Sequence, residues 1–511
     1  MSNKRVIIIG AGYGGMALAN LLGKAGYSVD VYEKNQEPGG RITAVKQDKF
    51  LFDLGPSWFL MPEVFDQYYG LFDESVYSRL DLMRFQPGYK VFFEKYEPLT
   101  LMGDLDEDKH IFETIEPGAA KKLESFVDRS TKVYELSVKY FLYNNFQRFR
   151  DLVKWPIFKN AFNMLPLTTQ KLDDYVGKHF DDIRLKQLLE YHSVFLGASP
   201  FQVPAIYTLM SYLDYKSGVY YPRQGMLSLV DDMRELGKKY NITYHYESPV
   251  QRILVEQGKA VGVELTNKQQ HYADIVVSNA DLAFTETSML EEKYQSFPDK
   301  YWDKRQPGPG ALLVSLGVKG ELPQLMHHNL YFVDDWQGNF EDIYTNKKIP
   351  KDASLYVCNP NKTDPNLAPK NHENLTILMP IPSGVGLNKA RLEQITNRLI
   401  ATLSEKMDIP DLSARIVSKH TFGPDEFANK YNAWQYNAFG GESHLLSQSI
   451  IFRTKNKSRK VKNLYYVGSG TIPGIGLPMC LIGAEQTFKR ITKNKSGGAL
   501  TQEEIAQNHS S

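Results

Sequence analysis

The sequence predicts an α/β fold (α+β overall): a Rossmann-like dinucleotide-binding domain with an inserted domain of mixed sheet and helices. Three observations predict it. Residues 4–41 carry strand, glycine turn, helix, strand and acid in the order a dinucleotide site requires. The same grammar returns at 242–281 and again at 463–488. Between these stretches lie longer helical and alternating patterns that do not continue it. The expected division is therefore discontinuous. Residues 1–60, 218–300 and 455–493 form the nucleotide domain, 61–217 and 301–454 a substrate domain, and 494–511 a flexible tail.

The first stretch reads KRVIIIGAGYGGMALANLLGKAGYSVDVYEKNQEPGGR. Val6 to Ile9 are β-branched without interruption, as suits a parallel strand buried on both faces. Gly10, Gly12 and Gly15 follow at G-x-G-x-x-G spacing, with Gly14 between them. Gly10 permits the tight turn, Gly12 lets the backbone approach a pyrophosphate, and Gly15 lets the helix pack on the strand. The helix start offers free N–H groups and a positive dipole end to phosphate. Glu33 comes about 20 residues after Gly12, where an acid can bind a ribose hydroxyl, with Lys34 beside it. Lys4-Arg5 before an apolar run also resembles a secretory signal, but three glycines within the run make a poor apolar segment. Only two cysteines, Cys358 and Cys480, occur in 511 residues, so nothing points to an oxidising compartment.

Composition is that of an ordinary globular enzyme, 42% hydrophobic and 23% charged. A net charge of +1 offers no electrostatic case for nucleic acid. No metal site is expected: the cysteines lack metal spacing, and His327-His328 is the only close histidine pair, which adjacent residues rarely make into a site unaided. No unbroken apolar run is long enough to span a bilayer.

Along the chain, Pro62 to Leu71 reads as a short helix. Residues 80–115 alternate polar and apolar side chains, suggesting antiparallel strands with a turn at Gly103-Asp104. Pro117 to about Tyr143 repeats apolar residues at helical spacing. Residues 140–164 interleave aromatics with Arg148, Arg150, Lys154 and Lys159, which suits an interfacial membrane contact or, equally, a helix packed into the substrate domain. Ile242 to Asp281 reads as strand, hairpin and strand. Ala311 to Val318, Ser354 to Cys358 and Thr376 to Ile381 are strand candidates, and Asn388 to Met407 an amphipathic helix. The basic run within 453–462 reads as a solvated loop. Asn463 to Phe488 gives a strand, a glycine turn and a helix with Pro478 near its start.

Pro38-Gly39-Gly40-Arg41 and then Gly55-Pro56-Ser57 follow the acid. This GGR unit resembles the flavoprotein group that includes amine oxidases and carotenoid desaturases. The block FLGASPFQVPAIYTLMSYLDYKSGVYYPRQGM (195–226) and the segment GSGTIPGIGLPMCLIGAE (468–485) resemble bacterial phytoene and dehydrosqualene desaturases. The resemblance implies noncovalent FAD. Arg41 would approach its pyrophosphate, where a planar fork meets phosphate oxygens well. Gly55, Pro56 and Ser57 would pass the flavin, and Val250 would meet the adenine through its backbone. Gly468, Ser469, Gly476 and Met479 would close the site, the last helix start facing the reduced flavin. Many members have His where this chain has Ile472.

It further implies desaturation of a long apolar isoprenoid such as phytoene. It also implies an electron acceptor such as a quinone or oxygen, and a cytoplasmic protein held peripherally at the membrane. Asp214, Tyr221 and Arg223 are the candidate catalytic residues. Asp214 would take a proton or steady a cation, or else be a surface acid after a helix. Arg223 would fix its loop or pair with Asp214 or the reduced flavin, and Tyr221 would act beside them or wall the pocket. Alternatives are carotenoid isomerisation, saturation or oxygenation, or a flavin-free prenyl-binding escort module.

Overall fold

The computed structural model describes residues 4–145, 166–449 and 452–507. Five parallel strands lie in the order Leu464–Tyr466, Ile275–Ser278, Arg5–Ile9, Ser28–Tyr32, Ile242–His245. Arg5–Ile9 is central, which accounts for its unbroken apolar run. Val6 and Ile8 face the helices Tyr13–Lys24 and Leu477–Ile491, while Ile7 and Ile9 face a second layer. That layer is an antiparallel sheet of Val250–Glu256, Lys259–Leu265 and Gln270–Tyr272.

A seven-stranded sheet builds the other half. Its order is Ile416–Phe422, Gly310–Lys319, His372–Ile381, Leu355–Cys358, His328–Phe332, Tyr89–Phe93, Leu99–Leu101. Period-two alternation divides its faces. Leu312, Val314 and Leu316 pack beneath helix Lys389–Lys406, capped at Asn388, whose Ile395, Leu399 and Leu403 point down at them. Ala311 and Leu313 point the other way, into the central cavity.

Several expectations need correction. Residues 105–115 are a helix, not a strand. Asp104 caps its start by accepting from the N–H groups of Asp106 and Glu107, and three acids in its first turn suit the dipole. The hairpin in this region joins Tyr89–Phe93 to Leu99–Leu101 instead. The expected tail contains a capped helix, Gln502–Ala506, with Leu500 and Ile505 buried against the nucleotide-domain helices. The basic run is not uniformly solvated. Arg453 is buried and donates to the carbonyl oxygens of Glu442, Ser469 and Thr471. Most of the aromatic-basic segment 140–164 lies outside the described residues. Among the described residues no helix is long and apolar enough to cross a membrane.

Candidate functional site

One cavity of about 920 Å³ runs from the nucleotide loops of the parallel sheet to the inner face of the seven-stranded sheet. At its nucleotide end the backbone is open by construction. Gly12 precedes helix Tyr13–Lys24 without a side-chain cap bond, so the first N–H groups of that helix carry no side-chain partner from the cap position. A Cβ on Gly12 would sit 2.6 Å from Asn279 Oδ1. Gly15 lies behind the wall rather than in it, where a Cβ would meet Gly10 O at 2.6 Å, so its role is helix packing. Glu33 lines the cavity. One carboxylate oxygen accepts from Ala11 N (2.8 Å) and the other from Asn35 N (2.9 Å) and Asn35 Nδ2 (2.8 Å). Helix Leu477–Ile491 brings a second start to the same cavity, behind Gly476 at φ +118° and again without a side-chain cap bond.

Arg41 is half-buried and lines the same cavity as these helix starts. Its Nε donates to Ala438 O at 2.9 Å, and the Tyr431 ring lies beneath it at 5.4 Å. Burial pushes the guanidinium down, with the Asp281 charge opposing. Two helix N-termini and a guanidinium bonded to a carbonyl oxygen form an anion site. The residues present therefore fit a dinucleotide pyrophosphate.

Gly10, Gly14, Lys34, Gly40, Gly55, Pro56, Ser57, Val250, Gly468, Ser469 and Met479 also line this cavity. Lys34 is tied to Asn429 O (2.6 Å) and Asn432 Oδ1 (2.9 Å). Asn279, which sequence reasoning missed, stands against Gly12, Gly15 and Gly468 and donates to Val467 O at 3.0 Å. Its only signal was its place at the end of a strand. His444 also lines the cavity, beside Gly474 and close to Ile472, so a neutral imidazole enters that region from elsewhere in the chain. Burial pushes it down to about 3.

The three expected catalytic residues are not brought together. Arg223 is exposed and pairs with Asp81 at 3.3 Å, because its strand ends at Pro222 and the chain turns to solvent. It reaches neither Asp214 nor the cavity wall. Tyr221 is buried behind the wall and donates to Asp53 Oδ2 at 2.8 Å. Asp214 is not a surface acid: it is 1% exposed, in a π-type turn spanning Leu213–Ser217. Its carboxylate accepts from Tyr89 (2.7 Å) and Tyr191 (3.0 Å), with His192 Nε2 at 3.2 Å. Tyr191 lines the cavity.

Beyond the nucleotide end the wall is apolar and aromatic, including Phe332, Trp336, Phe340, Ile343 and Tyr344. Glu33, Lys34, Arg41, Asp281 and Lys430 are the charged lining residues among those described, and all stand at the nucleotide end.

A family model described as flavin containing amine oxidoreductase matches residues 13–487. The chain is 35% identical to a carotenoid 3,4-desaturase of Haloarcula japonica, covering 97% of this chain and 99% of that one. It is 31% identical to a zeta-carotene-forming phytoene desaturase of Myxococcus xanthus, covering 96% and 94%. Putrescine oxidase with bound putrescine shares the fold, with a TM-score of 0.63 at 14% identity, over 96% of this chain and 99% of that one. The paired helix starts and the cavity-lining arginine now have their partner, for the chain belongs to the flavin-containing amine oxidoreductases, in the carotenoid-desaturase group, and is an FAD-dependent oxidoreductase.

Proposed function

We propose that this chain desaturates an acyclic carotenoid precursor such as phytoene, using noncovalent FAD. The observation that carries the reading is the division of charge along one cavity. Among the described residues, every charged lining residue stands at the nucleotide end, and the far wall offers apolar and aromatic surface with a few neutral polar groups. Such a wall cannot hold an amine or a carboxylate by pairing. It can hold a hydrocarbon, at about 25 cal/mol per Å² of buried surface. When bound, FAD supplies the hydride acceptor. Gly12, Arg41 and the two helix starts would hold its phosphates. Ser57 and Trp58 would line the passage to the apolar arm, which excludes water.

The second hydrogen leaves as a proton. Tyr191 stands in the wall and already donates to Asp214, so a proton taken at Tyr191 Oη is matched by one passed to the Asp214 carboxylate. In this reading Tyr191 meets the substrate, and Asp214, which holds it, is the final proton acceptor. The nucleotide domain comprises 1–60, 218–300 and 455–493. The protein works at the cytoplasmic membrane surface, where its lipid-soluble substrate resides, and a quinone or oxygen reoxidises the flavin.

Anaerobic mixing of the yellow protein with phytoene in liposomes tests the reading. Flavin bleaching and a product two hydrogens lighter, with longer-wavelength absorption, are expected. Isomerised phytoene of unchanged mass, or a colourless protein that retains phytoene, would replace it with isomerase or escort activity.

A further inference from the structure

Strand His328–Phe332 runs antiparallel to Leu355–Cys358 with His328 opposite Cys358. His327, just before the strand, holds its ring beside that of His328, the centroids 4.4 Å apart. One donor atom from each of the three residues lies within 4.8 Å of the others. All are buried, at 4%, 0% and 2% exposure in chain order. Each imidazole is anchored through Nδ1: His327 to Thr363 Oγ1 (2.6 Å) and His328 to Tyr356 Oη (2.8 Å). Nε2 of both rings has no partner. Buried polar atoms are nearly always partnered, and here two neighbouring ones are not. Nδ1 held by an oxygen with Nε2 left open is how metal-bound histidines are arranged.

We propose that His327, His328 and Cys358 bind one transition-metal ion of the Zn²⁺ or Cu⁺ type. The donor set decides the class: two imidazoles and a thiolate suit these ions and not Mg²⁺ or Ca²⁺. The donors lie within 4.8 Å of one another. Bonds of about 2.0 Å to nitrogen and 2.3 Å to sulfur at trigonal or tetrahedral angles set donors about 3.3–3.7 Å apart, so side-chain rotation must draw them in by up to about 1.5 Å. Binding forms an S–metal bond at Cys358 as its S–H bond breaks, the proton leaving to solvent, and no group is oxidised or reduced. The buried carboxyl of Asp53 lies close enough to act on Cys358 electrostatically, adding an acidic group beside the cation. The site stands directly behind the cavity wall. Trp58 stacks on His328 (4.6 Å, 22°), and both Trp58 and Tyr356 line the cavity.

The test uses the FAD-loaded protein, purified without chelator from cells grown with added zinc or with added copper. Elemental analysis should find close to one such ion per chain, and X-ray absorption at the metal edge should show nitrogen near 2.0 Å and one sulfur near 2.3 Å. Cys358→Ser should lower metal content at least about tenfold and remove the sulfur signal, with flavin content unchanged. Metal-free wild-type protein from both media would overturn the proposal, leaving a water as the occupant. So would a metal shell without sulfur in the wild-type protein, a reading that needs no variant to fold. No substrate is used, so this proposal fails or stands separately from the desaturase reading.

Discussion

Two buried polar clusters pack around Trp58, and their hydrogen bonding differs. In one, Tyr89 and Tyr191, with ring centroids 5.5 and 6.2 Å from Trp58, both donate to Asp214, and His192 adds a third contact. In the other, His328 stacks on Trp58, and the open nitrogens of His327 and His328 meet nothing. The clusters stand on neighbouring strands, since Tyr89–Phe93 pairs with His328–Phe332. The difference teaches that burial alone does not identify a site. A carboxylate met by several donors is complete within the chain, whereas two neighbouring buried ring nitrogens with no partner call for a guest.

The largest expected effect comes from breaking the Asp214 cluster. Tyr191→Phe and Asp214→Asn should each lower turnover roughly a hundredfold, the low end of general-base contributions, with flavin content retained. Single-turnover flavin bleaching with phytoene measures this. Full activity in both would reduce the Asp214 cluster to packing.

A sharper contrast uses Glu190, a buried acid behind the same wall with a single donor, Trp336 Nε1 at 2.8 Å. Burial pushes it up to about 8. The folded carboxyl therefore keeps its proton where the unfolded one has lost it. Its contribution is fully present below about pH 4.5 and is lost as pH rises toward 8. Gln has no proton to lose. Glu190→Gln should match the wild type near pH 4 and exceed it by on the order of 4 kcal/mol at pH 8, measured by denaturant unfolding. Equal slopes with pH would mean that Glu190 is ionised in the fold.

The smallest effect is expected at Arg223, whose pair with Asp81 is exposed. Arg223→Ala should change stability by less than about 0.5 kcal/mol and turnover less than about twofold. A large loss of turnover would restore the role that the sequence resemblance suggests for it.

What was legible in the sequence was local. The glycine spacing and Glu33 sit in or just after one βαβ unit, and Arg41 follows eight residues later, so their order already dictates much of their geometry. The amphipathic helix at 389–406 was equally readable from its spacing. The helix at 105–115 was not, because an alternating run of acids and apolar residues resembles a strand until the cap at Asp104 is recognised. The burial of Asp214 was not readable either: its partners Tyr89 and Tyr191 are distant in sequence and arrive from different elements. Cys358 joins the two histidines only through strand register, and Arg453 hides in a basic run because three carbonyl oxygens converge on it.

Among the described residues the far arm of the cavity carries no charge, which bears on how many bonds are converted. A charged anchor would lock a substrate in one register, presenting the same carbon pair at every encounter. A smooth aromatic sleeve imposes no such lock, and a hydrocarbon can advance or retreat along it at small cost. The length of this apolar lining, which includes Phe340 and Tyr344, rather than a charged contact, would then set how far the chain threads and so how many successive positions come into reach.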